Sequence, residues 1–259
     1  MNTPLPSFSE LWKETWQRFG ANNNLMLSIG ALAGAPFVAV SFIPMQKTLS
    51  SFLLLAGLFL LAAAWSAIAT MAIYASAAHP EIRTLRDAFR LGGARWFSFL
   101  TTQVLEGIVV VLPYIALVIL ITLLTLPGKL GAASDVLNGG GNLLLAAGLF
   151  IVGTIAISFW AYRFTFSGFI VFSEQKKNIA ALRSSVALTR GHVTALWGKF
   201  FLFGLCLVAI SLGIEIISSI STSSLNQDSQ AYMFINSMFS LISNMILIPL
   251  ETLFVAVVY

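Results

Sequence analysis

SFLTTQVLEGIVVVLPYIALVILITLLTL, residues 98–126, contains one charged residue, Glu106. About 20 apolar residues in a helix cross the hydrocarbon core of a bilayer, so this run predicts a transmembrane helix. Five more runs of the same character lie at about 24–45, 50–76, 142–172, 197–221 and 231–258. The whole chain has 259 residues, is 58% hydrophobic and 9% charged, and has a mean hydropathy of +0.90. Soluble domains carry about a quarter charged residues, and no water-soluble fold hides this much apolar surface. The period-2 polar alternation of a membrane barrel is lacking. The expected fold is therefore an all-α polytopic membrane protein with six transmembrane helices. "LMLSIGALAGA" (25–35) has the look of a signal-peptide core. It runs on into "PFVAVSFI", however, and Glu10, Lys13, Glu14 and Arg18 precede it, so it reads as an uncleaved first span. Lone Cys206 provides neither a disulfide framework nor a cysteine metal site.

Lysine and arginine divide unevenly between the loops. Lys13, Arg18, Arg83, Arg86, Arg90, Arg95, Lys176, Lys177, Arg183, Arg190 and Lys199 fall on one side, and only Lys47 and Lys129 on the other. The positive-inside rule then puts both termini in the cytoplasm, which for a bacterial chain means the inner membrane. The net charge of +4 is spread in a way that argues against a nucleic-acid partner.

A repeat follows from the same loops. Ile82, Leu85, Arg86 and Phe89 recur 97 residues later as Ile179, Leu182, Arg183 and Val186, and "FSELWKETWQRF" (8–19) has a similar apolar stripe. The predicted plan is one membrane domain, 1–259, of three units (about 7–76, 81–172 and 178–258). Each unit is a short amphipathic helix followed by a transmembrane hairpin. The short helices should rest in the inner headgroup layer, with Trp12, Trp16, Trp96 and Trp197 in the aromatic belt. Arg83, Arg86, Arg90, Arg95, Lys176, Lys177, Arg183, Ser184 and Arg190 are then candidate contacts to anionic phospholipid, each basic residue contributing about 1 kcal/mol near such a leaflet. For "ALRSSVALTRGH" (181–192) three readings stay open: a linker helix held by lipid charge, a specific headgroup pocket, and a docking surface for a soluble partner.

"FTFSGFIVFSEQKKN" (164–178) followed by "AALRSSVALTRGHVTALWGKFF" (180–201) resembles YciC-like bacterial inner-membrane proteins. It also resembles the membrane domain attached to some glycerophosphodiester phosphodiesterases. Ile170, Val171, Phe172, Glu174, Leu182, Arg183, Ser184 and Leu188 occupy the family's "pv-v-e" and "al-rS…l" places, "TLRDAFRLGGARWFSFL" (84–100) its earlier cytoplasmic helix, and Pro249 to Tyr259 its closing span. The family's Pro-Gly pair entering the fourth span is missing, with only Gly153 nearby. The resemblance implies a six-span fold and assigns no chemistry. The phosphodiesterase catalysis of the fused proteins belongs to a separate soluble barrel, for which six spans leave no room.

No catalytic motif emerges. His-Glu-x-x-His, Gly-x-Ser-x-Gly and phosphate-loop patterns are missing from the sequence. "NGGGN" (138–142) reads as a turn, His79 as the opening of a cytoplasmic helix, and Gly191-His192 as a helix stop. The informative charges are inside the runs: Glu106 near the inner surface, Arg163 in the fourth, Glu215 about midway along the fifth, and Glu251 after Pro249. An ionised group at mid-bilayer costs about 3 kcal/mol on the insertion scale. An Arg163–Glu pair, a polar cavity for a solute, proton or lipid headgroup, and water-exposed positions all remain open. Gly30 and Gly34, four apart, predict a close helix contact. Asn236, Ser240, Ser243 and Asn244 offer interhelical hydrogen bonds, and Pro36, Pro113 and Pro249 offer kinks.

The expected function is a non-enzymatic inner-membrane protein without metal or cofactor: a lipid-interacting organiser or sensor, or a scaffold for an envelope complex. Its partners would be anionic phospholipids, with a membrane-protein partner or a second copy of the chain also open. The alternative is a transporter or lipid translocator. A wet cavity touching two of Glu106, Arg163, Glu215 and Glu251 favours the alternative, and a dry paired cluster disfavours it.

Overall fold

The computed structural model describes residues 5–43, 48–125, 141–225 and 229–259. Among them every regular element is a helix. Six helices are long and apolar enough to cross a membrane. In chain order the elements are α1 (Phe8–Ala21), α2 (Asn23–Ser41), α3 (Leu49–Ala78), α4 (Leu85–Gly93), α5 (Trp96–Thr125), α6 (Gly141–Ala161), α7 (Ser167–Ser173), α8 (Ile179–Thr189), α9 (Val193–Thr222) and α10 (Gln230–Val258). Lys47, Lys129 and most of "NGGGN" lie outside the described residues.

The short helices start where sequence caps them. Ser7 and Glu10 close a reciprocal capping box on α1. Thr84 accepts the Asp87 N–H at the head of α4 (3.2 Å). Gly191 adopts φ +86 after α8, a left-handed stop that favours glycine.

Exposure is distributed as lipid demands. Leu60, Ile220 and Val152 on outer helix faces are 72%, 69% and 66% exposed, which a fold surrounded by water would not sustain. Buried side chains gather where α1, α2, α3, α7 and α10 meet, around Met26, Ile29, Met71, Ile73, Ile170, Leu250, Leu253 and Phe254. The Phe203 and Phe254 rings stack there at 4.0 Å.

Small residues set the tightest approach. A Cβ on Gly30 would stand 2.6 Å from the Met245 carbonyl oxygen, and one on Gly34 2.7 Å from Asn244 Cβ. The expected glycine contact is therefore α2 on α10. Proline also frees carbonyls: Pro36 has no N–H for the Leu32 carbonyl, and the Trp65 indole N–H of α3 donates to that oxygen at 2.6 Å.

Two sequence expectations change. The fourth apolar run is not one helix. It breaks at a 3-10 turn over Tyr162–Phe164 and resumes as α7. The apolar stripes assigned to the short helices dock only in part: Leu11, Thr15 and Phe19 on α1 are buried, as are Ile82 and Leu182, whereas Leu85 and Ile179 are exposed. In α4 the buried residues are Ala88 and Gly92 while Leu85 is exposed, and in α8 they are Ala181, Leu182, Ser185 and Thr189 while Ile179 is exposed. Backbone approach explains this, since a Cβ on Gly92 would meet Ala72 N at 2.5 Å.

Side-chain ties gather the short helices at one end of the bundle. Arg83 donates to the Ala21 carbonyl (3.0 Å) and to Asn22 Oδ1, and Arg95 donates to the Phe172 carbonyl. Lys199 donates to the Pro6 carbonyl, and Tyr259 Oη to Glu174.

Candidate functional site

Walls from α2, α3, α5, α9 and α10 enclose a half-open cavity of about 670 Å3, closed on one side by the break between α6 and α7. Glu106 and Glu251 both line it, with Ser66, Thr70, Tyr74, Gln103, Tyr162, Thr165 and Thr252 as further polar residues. Position along the helices fixes its depth. Tyr74, Glu106 and Glu251 each lie within about three turns of the helix end that faces the short helices, so at 1.5 Å per residue the cavity occupies that half of the bundle.

The two carboxyls have different surroundings. Ser167 Oγ, at the first turn of α7, donates to Glu106. Glu251 is exposed, lines the cavity, and has no hydrogen bond or ion pair with any described residue. Tyr74 and Tyr162 bring two phenols to the same cavity wall. The lining includes no Lys, Arg or His. Its aromatic rings come from Phe37, Tyr74, Phe99, Tyr162, Phe200 and Phe203.

The broken helix builds one corner of this site, and "ALRSSVALTRGH" supports the break. Leaving the α-helix at Tyr162–Phe164 frees backbone groups that helix geometry would have paired. Ser185 of α8, fully buried, accepts the Phe166 N–H (3.2 Å) and donates to the Arg163 carbonyl (2.8 Å). Past the break, Gly168 lets α7 approach Phe99 and Gln103 of α5, where a Cβ would stand 2.6 Å from Phe99. That approach carries Ser167 to Glu106.

The four intramembrane charges do not come together. Arg163 forms no ion pair among the described residues. Its guanidinium sits 5.2 Å from the Trp160 ring centroid, and its Nε is buried without a hydrogen-bond partner. Glu215 is not midway along its helix. It lies in the last two turns of α9, in a separate cleft of about 280 Å3 with Ser218, Asn236, Ser240, Ser243 and Asn244.

The nine residues expected at anionic headgroups divide in two. Arg83 and Arg95 cap backbone carbonyls, as described above. Lys176 pairs with Glu174 (2.7 Å) and donates to Ser184 Oγ (2.8 Å). Lys176 and then Tyr259 hold the Glu174 carboxyl below its usual range, and burial foremost pushes the Tyr259 phenol up. Arg86, Arg90, Lys177, Arg183 and Arg190 remain exposed, with no partner among the described residues.

Sequence reading overlooked Tyr74, Gln103, Ser167 and the splinting role of Ser185. Among the described residues no group of three or more His, Cys, Asp or Glu gathers as a metal site. In comparison with known proteins, no family model, curated sequence or solved structure matches the chain.

Proposed function

We propose that the chain is a carrier that admits a small amphipathic solute to the cavity at Glu106 and Glu251 and moves it without covalent chemistry. The observation behind this reading is the cavity: it touches two of the four intramembrane charges, no cation neutralises them there, and about 670 Å3 falls within the usual range of ligand sites. Membrane carriers place their sites inside the bundle, beside interrupted helices, as the break at Tyr162–Phe164 does here.

A second reading accompanies it. Exposed Arg86, Arg90, Lys177, Arg183 and Arg190 favour rest on an anionic leaflet, with the end carrying α1, α4 and α8 in the cytoplasm and the chain in a bacterial inner membrane. The resemblance to YciC-like membrane modules and the three-unit plan belong to the same proposal, supported by the short helix that precedes each long pair.

The test is accessibility from the two sides. Thr70→Cys and Gln103→Cys, each in a Cys206→Ser background, are reconstituted in oriented vesicles and exposed to a membrane-impermeant thiol reagent. A carrier opens in turn to each side, so labelling from both faces is expected. Labelling from one face only would make the cavity that of a receptor or scaffold, and labelling from neither would show it dry.

A further inference from the structure

We infer that the cavity is a cation site, whose ligand is a small organic monocation: an ammonium on an apolar body, seated against the aromatic wall with Glu251 as its counter-charge. This rests on the carrier reading and names its substrate class.

Three observations converge. The lining holds two carboxyls and no basic side chain. Arg163, which lies over the Trp160 ring, and Lys199, which donates to the Pro6 carbonyl, do not line the cavity. Glu106 is already hydrogen-bonded by Ser167, whereas Glu251 has no partner among the described residues. A carboxylate in a poorly solvating interior is stabilised by a paired positive charge, and Glu251, without a hydrogen-bond donor among the described residues, is the acid left open to pair with one on the ligand.

The wall supplies the second attraction. Six aromatic side chains line the cavity, and the negative face of an aromatic ring draws ammonium groups, quaternary ones included. Leu100, Leu207 and Ile248 on the same wall suit an apolar body. A transition-metal or zinc ion would instead call for several His, Cys or carboxylate ligands, and the described residues gather no group of three or more of these.

The experiment measures protection of the cavity thiol. The full-length Cys206→Ser/Thr70→Cys protein in nanodiscs of zwitterionic lipid is labelled with neutral N-ethylmaleimide. Phenyltrimethylammonium competes, against its uncharged isostere tert-butylbenzene. The expected result is half-protection by the cation at a concentration at least tenfold below that of the isostere. Glu251→Gln should raise the cation's half-protecting concentration tenfold or more and leave the isostere's unchanged. Glu251→Asp should retain the preference, and Glu215→Gln, in the other cleft, should change neither. Efficient labelling with equal protection by the two probes overturns the cation assignment and leaves the carrier reading standing. If the thiol is not labelled without any probe, the cavity reading falls and the cation site with it.

Discussion

Ser185 shows how one hydroxyl permits an irregular backbone inside an apolar bundle. A helix break at membrane depth leaves polar groups with no water to pair them, at a cost of several kcal/mol each. Ser185 Oγ serves the Phe166 N–H and the Arg163 carbonyl together. Ser185→Ala should therefore destabilise the protein by about 1–3 kcal/mol, read as a lowered Tm for the detergent-solubilised chain. Ser184→Ala loses only an exposed bond from Lys176 and should cost less than about 1 kcal/mol. Equal effects of the two substitutions would remove the splinting role. Nothing in "ALRSSVALTRGH" distinguishes these neighbouring serines. Their difference arises from which one faces Arg163, and that is decided by how α8 docks on the 3-10 turn.

Among the elements, α2 and α3 display a compensation between proline and tryptophan. Pro36 withdraws the N–H that the Leu32 carbonyl would accept, and Trp65 replaces it across the interface. Trp65→Phe should cost about 1–3 kcal/mol. In a Pro36→Ala background, where the backbone N–H is restored, the same change should cost under about 1 kcal/mol. Additive losses in this double-mutant cycle would show that the indole acts only through its bulk. Elements were legible in the sequence to the extent that their cause is local. Twenty-residue apolar runs and the Gly30/Gly34 face announce themselves. The interruption of the fourth run does not, because "AYRFTF" (161–166) contains neither Pro nor Gly and its break is stabilised from α8. The stripe at α4 holds only in part: Ile82 is buried and Phe89 stacks on Trp65, but close approach to the α3 backbone selects Ala88 and Gly92 while Leu85 stays exposed.

At the scale of the whole molecule the usual arrangement of surfaces is inverted: the outside is apolar and a polar, acidic hollow lies within. Composition foretold the apolar exterior. Membership of the hollow was not legible, since Glu106, Glu215 and Glu251 look alike along the chain and only helix adjacency joins the first and last around Tyr74 while sending Glu215 to the other half. The most direct test of this inverted arrangement is hydroxyl-radical footprinting of the chain in nanodiscs, where oxidation reports water beside a ring. Tyr162 on the cavity wall should oxidise at least severalfold faster than Phe59 and Phe150, which are exposed on outer helix faces. Oxidation of Phe59 and Phe150 as fast as that of Tyr162 would contradict the account, because water would then lie outside the bundle and not within it.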